Sequence, residues 1–356
     1  MRQSLQVRIE SGVYSPGCRL PSETALAQTA GCSRQTVRRA IDRLESDGLV
    51  TRIQGSGTYV RSQSAPARVK TVGVVSTYVD DYIFSSIIRG METVLTESGC
   101  GMQLAFTHNQ VELEAQALKS MLGKGVDGLI VEPAKSGFIN FNRELYLQVR
   151  QAGIPLLFFN AYCPGLPGFP HVAMDDRAAG RLVTEHLLGR GHRKIAALFQ
   201  ADDLQGQLRY AGYADALRRK NLTPEPEHIL WFATQDIPHL TEDMDRVLRA
   251  AAGCSALVCY NDQIAYALCG EFARRGVQIP GKLSVVGIDN SETASLCSPP
   301  LTTAAHPMDR LGAAAARQML KMIADPGFAA GMEFQPELIV RQSTADVRPQ
   351  KTRQQE

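Results

Sequence analysis

Apolar runs of strand length alternate with helical patterns through most of this chain, and this alternation restricts the possible folds more than any other feature. The apolar runs lie at residues 72–75, 102–105, 128–131, 156–159, 195–198, 257–259 and 283–288. The helical patterns lie at residues 85–98, 112–124, 176–189, 206–220, 241–252, 262–276 and 309–324. Wholly apolar strands are typical of parallel sheets covered by helices on both faces. Because one sheet seldom holds so many strands, we predict two doubly wound α/β lobes with right-handed crossovers.

Polar side chains follow these predicted strands, which is where ligands bind in doubly wound folds. Carboxylates, amides and an arginine suit a small polyhydroxy ligand, because each hydroxyl group needs both a donor and an acceptor. Taken alone, each residue could be a helix cap or a turn residue, and for Asp176 and Asp262 that alternative is favoured. The set is Ser76, Thr77, Tyr78, Asp80, Asp81, Glu132, Asn160, Gln200, Asp202, Asp203, Gln205, Arg209, Asn261, Asp262, Asp289, Asn290 and His306.

Residues 15–60 carry the pattern of a helix-turn-helix followed by a β-hairpin. Ser22 and Ser33 stand where N-caps begin two helices, and Gly31 supplies the turn between them. The second helix ends at Gly48 and buries residues spaced at i, i+4 and i+7, which are Val37, Ile41 and Leu44. We therefore predict a small winged helix-turn-helix domain ahead of the two lobes.

The outer side of the second helix and the tip of the hairpin supply candidate DNA contacts. Arg34 and Arg38 can bind guanine and Gln35 can bind adenine in a major groove. The glycine-rich tip can lie against the neighbouring backbone or minor groove. A small helical subdomain with solvated arginines is the alternative, but the succession of cap, turn, cap and hairpin favours DNA binding. The candidates are Ser22, Thr24, Ser33, Arg34, Gln35, Thr36, Arg38, Gln54, Gly55, Ser56 and Gly57.

Charge and composition agree with this division. Residues 1–70 hold eleven of the 38 Lys and Arg residues but only five of the 36 Asp and Glu residues, so a polyanionic partner belongs to this part alone. The sequence has no signal peptide and no apolar stretch of membrane-spanning length. Its eight cysteines are scattered, and no histidine stands at a metal-ligand spacing. We expect reduced thiols, a cytoplasmic location, no metal, no cofactor and no membrane partner.

The motifs LPSETALA, CSRQTVRRAIDRLESDGLV and GSGTYV resemble the winged helix-turn-helix of the GntR family over about the first 60 residues. Members of that family usually have a longer first helix, with a basic or tyrosine residue at its start that touches phosphate. The resemblance therefore implies that Met1 lies inside this helix. It also implies that some backbone contacts and part of the small core are missing.

The remainder resembles the sensor domain of the LacI/GalR family, a type I periplasmic-binding-protein fold, through MDDRAAGRLVTEHLLGRGHRKIA, CYNDQIA, SVVGIDN, PPLTT and LIVRQST. Joining it to a GntR-type reader is the arrangement of the arabinose-responsive repressors of Gram-positive bacteria. The segments STYVDDYIFSSIIRGME, VDGLIVEPAKS and QADDLQGQLR are similar to that subgroup. The resemblance implies a homodimer that binds double-stranded operator DNA and is released by a small sugar, with L-arabinose expected and another pentose or hexose as the alternative.

The same resemblance implies roles for the candidate sugar-binding residues. Arg209 is expected to hold ring hydroxyls bidentately, and Asp289 to accept hydrogen bonds from two of them. Tyr78 and Phe84 are expected to form apolar walls. Asn290 stands where the wider family usually has a second aspartate, a change expected to alter sugar preference. The remaining contacts are expected from Glu132, Asn160, Gln205, Asn261 and His306.

The resemblance also implies how the chain is organised. The lobes are expected to be joined by three crossings, near residues 172–174, 305–308 and 324–328. Sugar binding would close the lobes, and the two DNA-reading heads of the dimer would no longer match two half-sites. The helix at residues 85–95 is either the dimer face or part of the core. The expected domains are a DNA-binding domain at 1–61, a linker at 62–70, a sensor domain at 71–345 and a tail at 346–356.

Two other classes of protein share parts of this pattern. A transporter's sugar-binding protein has the sensor fold, but it needs a secretory signal and has no use for a winged helix. An enzyme needs catalytic machinery, and the sequence lacks a Walker loop, a nucleophile elbow and a metal cluster. A DNA-binding sugar sensor that is not an enzyme fits the sequence better than either.

Overall fold

The computed structural model describes residues 1–61, 69–78, 82–166 and 168–348, and the chain divides into two units, Met1–Val69 and Lys70–Glu356. Most of the expected linker (62–70) and tail (346–356) lies outside the described residues, as do Asp80 and Asp81. Among the described residues, no helix is long and apolar enough to cross a membrane.

The first unit contains the predicted helix-turn-helix and hairpin. Ser22 accepts a hydrogen bond from the Ala25 backbone N–H at 3.2 Å, and Ser33 accepts one from the Thr36 N–H at 3.1 Å, so both serines cap their helices. Gly31 between them has a φ of +60°, the left-handed conformation that ends many helices. The elements are α1 (Arg2–Glu10), α2 (Glu23–Ala30), α3 (Arg34–Ser46), β1 (Val50–Ile53) and β2 (Gly57–Val60).

A small apolar core holds this unit together. The three predicted core residues of α3 are buried, with relative exposures of 0–1%. They pack against one residue of α1, two residues of α2, Leu20 and the ends of both strands. This core comprises Leu5, Leu20, Leu26, Ala27, Val37, Ile41, Leu44, Val50 and Val60.

The second unit contains two six-stranded sheets within the described residues. Its elements are β3 (Thr71–Ser76), α4 (Phe84–Glu97), β4 (Gly101–Phe106), α5 (Val111–Lys124), β5 (Gly128–Val131), α6 (Arg143–Gln151), β6 (Leu156–Phe159), β7 (His171–Met174), α7 (Asp176–Gly189), β8 (Ile195–Gln200), α8 (Leu204–Arg218), β9 (Ile229–Phe232), α9 (Met244–Ala250), β10 (Ala256–Val258), α10 (Asp262–Arg274), β11 (Ser284–Asp289), α11 (Glu292–Leu296), β12 (Thr302–Ala305), α12 (Met308–Ala324), β13 (Met332–Phe334) and β14 (Glu337–Ile339).

The two sheets have the same doubly wound arrangement. The first has the strand order β13-β7-β6-β5-β3-β4 and the second β14-β12-β11-β10-β8-β9, and within the described residues of these two sheets only the β12–β14 pair is antiparallel. The first sheet with α4, α5, α6 and α12 is the first lobe, and the second sheet with α7 to α11 is the second lobe. In each sheet the first strand along the chain, β3 or β8, lies between the next two strands, so the chain winds in opposite directions from it. Such a switch point leaves a crevice at the carboxyl ends of the strands.

The chain passes between the lobes at three places. The first passage is at Asp175, between β7 and α7, and the second is at His306 and Pro307, between β12 and α12. The third was expected near residues 324–328, and this expectation is wrong. There the chain only turns, with the Gly327 N–H donating to the Asp325 carboxylate at 2.9 Å, and it returns to the first sheet as β13. The third passage follows at residues 335–336, before β14.

Helix α4 resolves the alternatives left open for residues 85–95. Its apolar residues Ile87, Ile88, Met91 and Leu95 are 0–8% exposed and pack in the core of the first lobe with Leu311 and Ala315 of α12 and with the sheet. These four residues are therefore core residues within the chain and are not available as a dimer face.

Candidate functional site

A cavity of about 230 Å³ lies between the lobes, at the carboxyl ends of β3, β5, β8 and β10. The two switch points put these strand ends opposite each other, which is why polar residues far apart in sequence meet here. His306 is not among the described residues that line this cavity. The other predicted sugar-binding residues all line it: Tyr78, Phe84, Glu132, Asn160, Gln205, Arg209, Asn261 and Asp289.

Arg209 of α8 is held rigidly at the base of the cavity. Its Nε donates to the Asp176 carboxylate at 2.7 Å, its Nη2 to Asp289 at 3.1 Å and its Nη1 to the Tyr260 backbone carbonyl at 2.8 Å. The guanidinium also lies over the Tyr260 ring, 4.9 Å from the ring centroid. Because a guanidinium has five N–H donors, two remain for a ligand.

Both carboxylates beside Arg209 are almost fully buried. Burial raises the pKa of Asp176 to about 6 and raises that of Asp289, while the adjacent guanidinium acts in the opposite direction on each. Arg209 itself remains charged, with its pKa above the ordinary value because two carboxylates outweigh its desolvation. The site therefore presents a fixed cation between two acceptors.

A chain of hydrogen bonds supports the opposite wall. The Asn160 Nδ2 donates to the Glu132 carboxylate at 2.6 Å, and the His306 Nε2 lies 3.1 Å from the Asn160 Oδ1. Glu132 also accepts hydrogen bonds from Ser76 and from the Thr77 backbone and hydroxyl. Burial lowers the pKa of His306 to about 3, so its ring is neutral and donates from Nε2 to Asn160. Glu132 and His306 thus position the Asn160 amide.

Aromatic and amide groups complete the lining. The rings of Tyr78 and Phe84 are 5.6 Å apart between centroids and both line the cavity. Asn261 caps α10 by accepting from the Ile264 N–H at 3.0 Å, and Gln205 lies in the first turn of α8. The Asn290 Oδ1 instead accepts from Arg341 at 2.7 Å, and Asn290 is not among the described residues lining the cavity.

Several residues of this site were not assigned from the sequence, and two of them form side-chain hydrogen bonds with Asp289 or Arg209. Tyr82, on the first lobe, donates to Asp289 at 2.7 Å and accepts from the Asp262 backbone N–H at 3.1 Å. Its φ of +58° is unusual for a tyrosine, and no sequence signal indicates it. Asp176 was interpreted as a cap, but Asp175 is the residue that caps α7, which leaves the Asp176 carboxylate free to pair with Arg209.

Several contacts join the lobes around the cavity. The Lys135 ammonium pairs with the Asp202 carboxylate, and the Leu204 N–H donates to the Ser136 hydroxyl at 3.0 Å. Tyr82 adds its contacts to the second lobe. Two further hydrogen bonds, of 2.7 and 2.6 Å, join Gln207 to the Gly137 carbonyl and Asn109 to Thr234. The cleft is therefore closed in this structure.

The candidate DNA surface lies on the first unit. Arg34, Gln35 and Thr36 are exposed in the first turn of α3, as is Thr24 on α2. Arg38, one turn further along α3, forms an ion pair with Glu23 of α2 at 3.1 Å. That pair was not foreseen, and a DNA contact of Arg38 would require this pair to break.

The hairpin tip has the backbone expected of a narrow turn. Gly55 and Gly57 have φ values of +74° and +133°, which side chains disfavour. Gln54 and Gly55 are exposed, whereas the Ser56 hydroxyl is hydrogen-bonded to the Tyr59 hydroxyl at 2.7 Å. The tip therefore offers mainly backbone and small polar groups.

Comparisons with known proteins agree with this architecture. Residues 1–60 match the bacterial regulatory proteins of the gntR family, and residues 184–344 match the periplasmic binding protein-like domain. The chain is 35% identical over 99% of its length to the arabinose metabolism transcriptional repressor of Halalkalibacterium halodurans, and 36% identical over 98% to that of Geobacillus stearothermophilus, covering 97% of each. A solved structure of the transcription regulator GntR from Chromobacterium violaceum is 26% identical, with a TM-score of 0.69 over 77% of this chain and 99% of that one.

The near full-length match at more than a third identity covers both units of the chain. The predicted fold class, a winged helix-turn-helix joined to a two-lobed sensor, is confirmed, as is the expectation that the protein is not an enzyme. The chain belongs to the family of bacterial transcriptional repressors in which a GntR-type DNA-binding domain is joined to a LacI-type periplasmic-binding-protein-like sensor domain.

Proposed function

We propose that this repressor binds operator DNA as a homodimer through its first unit and is released when L-arabinose binds between the lobes of its sensor. The observation that carries the proposal is the buried Asp176–Arg209–Asp289 cluster at the base of the cavity. The choice of arabinose rests on the names of the two relatives with which the chain shares its whole length. A repressor of this kind acts on the chromosome, so we propose a cytoplasmic location.

The cavity lining has the chemistry that a pentose requires. Arg209 has two N–H donors left for ring hydroxyls, and a carboxylate such as Asp289 has about four lone pairs, of which two are used by Arg209 and Tyr82. Hydrogen bonds to charged groups contribute about 1.5–3 kcal/mol each. The Asn160 and Asn261 amides supply further donors, and the Tyr78 and Phe84 rings can cover the C–H face of the sugar. Gln205 supplies another amide, while Glu132 and His306 act through Asn160.

In the proposed DNA complex, α3 enters the major groove. Arg34 and Gln35 read base edges, and Arg38 leaves Glu23 to contact a base or a phosphate. The first-turn residues Ser22, Thr24, Ser33 and Thr36 contact phosphates, and residues 54–57 of the hairpin lie along the backbone or minor groove. The corresponding domain division is residues 1–61 for DNA, 62–70 for the linker, 71–345 for the sensor and 346–356 for the tail.

The coupling between sugar and DNA follows from the lobes. A ligand that binds the closed cleft more tightly than the open one shifts the population towards closure. In a dimer, that shift changes the spacing of two DNA-reading domains that must match two half-sites. Because only differential affinity can move this equilibrium, the ligand has to contact residues of both lobes. The cavity lining meets that requirement, since Asn160 belongs to one lobe and Arg209 to the other.

A calorimetric titration with L-arabinose, D-xylose, D-ribose, D-galactose and D-fructose tests the ligand, and a gel shift with operator DNA tests release. We expect L-arabinose to bind tightest and to weaken the DNA complex. Tight binding of another sugar with release of DNA would overturn arabinose alone. Failure of every sugar to bind would overturn the sensor assignment.

A matched pair of variants tests the site. Asn261→Ser keeps an oxygen that can cap α10 but removes the amide, so sugar affinity should fall about tenfold, equivalent to about 1.4 kcal/mol. Asn290→Ser, on the neighbouring strand end but directed at Arg341, should leave the affinity unchanged. Equal losses in both variants would contradict the proposed lining.

A further inference from the structure

His228 is not among the described residues that line the cavity. Its buried ring has one nitrogen, Nε2, with no hydrogen-bond partner among the described residues. The ring is only 7% exposed, and its Nδ1 donates to the Ala250 backbone carbonyl at 2.8 Å. That hydrogen bond fixes the tautomer, because it places the proton on Nδ1 in the neutral ring and leaves a lone pair on Nε2. A ring held in this way by a backbone carbonyl is how proteins orient histidines that bind metals.

Two carboxylates lie close to this ring. The Glu225 Oε2 lies 3.3 Å from the His228 Nε2, without the geometry of a hydrogen bond. One ligand atom from each of Glu225, Glu227 and His228 lies within 4.8 Å of the other two. In a tetrahedral site with bonds of about 2.1 Å, neighbouring ligand atoms are about 3.4 Å apart, which matches the separation of Nε2 and Oε2.

The local fold explains how residues 225, 227 and 228 converge. Pro226–His228 form one turn of 3₁₀ helix that leads directly into β9, so residues three apart lie on the same side. His228 points inward against the end of α9, whereas Glu225 is half-exposed and Glu227 exposed. One ligand is therefore fixed and the other two can adjust from the solvent side. The spacing Glu-Pro-Glu-His carries no familiar metal pattern, which is why the sequence analysis expected no metal.

We propose that Glu225, Glu227 and His228 form a binding site for a divalent transition-metal ion, with Zn²⁺ the best-suited ion. One imidazole nitrogen and two carboxylate oxygens are common zinc donors, and a water molecule would take the fourth position. The site lies at the amino end of β9, whereas the cavity-lining residue Thr234 follows its carboxyl end. The metal would thus bind the second lobe at the edge away from the sugar, beside the His228–Ala250 hydrogen bond that joins the start of β9 to the end of α9.

Lys194 supplies an opposing charge. Its ammonium lies 3.6 Å from the same Glu225 oxygen that faces His228. The lysine therefore competes with a cation for this carboxylate. Removing it should strengthen metal binding, whereas a site formed by chance elsewhere on the surface should be indifferent to it.

The test is a calorimetric titration of the untagged, chelator-treated full chain with ZnCl₂. We expect one tight site, a loss of affinity of at least roughly tenfold in Glu227→Gln, and tighter binding in Lys194→Ala. His228→Ala should abolish the site, and circular dichroism reports whether that variant is folded. Since Glu227 is exposed, Glu227→Gln keeps the test decisive if His228→Ala does not fold.

His239 provides the matched control. Like His228, it lies three residues from a glutamate, with its Nδ1 2.8 Å from the Glu242 carboxylate. This pair is exposed, however, and among the described residues no second carboxylate joins it to make a three-residue cluster. His239→Ala should therefore bind Zn²⁺ like the wild type. Unchanged affinity in Glu227→Gln, or an equal loss in His239→Ala, would overturn the proposal. Sugar binding is measured separately, so neither result bears on the proposed repressor function.

Discussion

Arg38 shows how one side chain on the candidate DNA surface is occupied before DNA arrives. Its guanidinium donates to the Glu23 carboxylate at 3.1 and 3.2 Å, whereas Arg34 one turn earlier is exposed. In the proposed complex, DNA would therefore replace an existing ion pair at Arg38. Exposed ion pairs contribute little to stability because water and salt screen them, so the loss of this pair opposes DNA binding only weakly.

We predict opposite effects for two substitutions on this surface. Arg34→Ala should weaken operator binding by about 1–3 kcal/mol, because it removes a bidentate base contact. Glu23→Gln should strengthen binding, because it releases Arg38 and removes a negative charge beside the DNA. Gel shifts at two salt concentrations measure both effects. Wild-type affinity of Arg34→Ala at both concentrations would contradict the placement of α3 in the groove.

The buried carboxyl of Asp203 predicts a pH dependence of stability. Burial raises its pKa from the ordinary 3.8 to about 7, although it caps α8 through the Gly206 N–H and accepts a hydrogen bond from Tyr260. Between about pH 4 and pH 7 the unfolded chain loses this proton while the folded chain keeps it. The contribution of Asp203 to the free energy of unfolding therefore falls as the pH rises through that window.

Asp203→Asn tests this dependence, because asparagine has the same shape, caps helices equally well and carries no charge. Its stability relative to the wild type should rise from pH 4 to pH 7. Urea unfolding at three pH values across the window measures the difference. A difference that does not change with pH would show that Asp203 is not the titrating group.

Much of the candidate site could be predicted from single residues because it follows one rule, that polar residues after parallel strands share an edge. Arg209 and Asp289 are predictable in this way. Tyr82 is not, because its position depends on a positive φ in a loop. The role of Asp176 depends on which of two adjacent aspartates caps α7, and a sequence cannot distinguish them.

At the level of elements, each lobe contains one pair of helices packed unusually closely. In the second lobe, a Cβ at Gly180 of α7 would lie 2.1 Å from the Arg209 carbonyl oxygen, and one at Gly212 of α8 would lie 2.0 Å from that of Arg177. In the first lobe, a Cβ at Gly312 of α12 would lie 2.0 Å from the Ile87 carbonyl oxygen of α4. Backbone meets backbone at these crossings, so the glycines determine the helix separation.

We predict that Gly180→Ala lowers the free energy of unfolding by about 1–3 kcal/mol and also weakens sugar binding, because it pushes α8 and Arg209 away from Asp176. Gly312→Ala should lower stability similarly but leave that ion-pair cluster intact. Gly270→Ala, on α10 with nothing within 4 Å of a new Cβ, should raise stability by up to about 1 kcal/mol. Denaturant unfolding and sugar titration measure both properties, and a stable Gly180→Ala would contradict the close crossing.

The elements predicted from apolar runs are found in the structure, whereas α6, β7, β9, α11, β12, β13 and β14 were not predicted. Of these, β9 does have an apolar run, Ile-Leu-Trp-Phe, but the other unpredicted strands are less clear in the sequence. β12 reads Thr-Thr-Ala-Ala and is fully buried in its first three residues, but it has no apolar run. β13 and β14 have three residues each, and β13 is exposed in its first two. These strands are held by their neighbours in the sheet, and local sequence does not specify such pairing.

In the whole molecule, the lobes are joined both by the three passages of the chain and by the contacts around the cavity. The passages at residues 175, 306–307 and 335–336 are short, so they can act as a hinge of a few residues. Lys135–Asp202 and Ser136–Leu204 lie on the opposing surfaces that such a hinge brings together. These contacts between the lobes therefore stabilise the closed cleft in addition to any contacts that a sugar makes.

The contacts that close the cleft have a consequence for the speed of induction. The polar cavity residues are almost shielded from solvent, with Arg209 3% and Asn160 4% exposed, so a sugar can enter only while the lobes are apart. In the proposed mechanism the sugar binds the open form and the lobes then close, so the observed rate should reach a plateau at high sugar concentration that is set by the closing step. Lys135→Met removes a contact of the closed cleft and should change that plateau in stopped-flow fluorescence of Trp231, and a rate that increases linearly without limit in both proteins would contradict it. A cell carrying this repressor would respond to a sudden excess of sugar no faster than the lobes close around it.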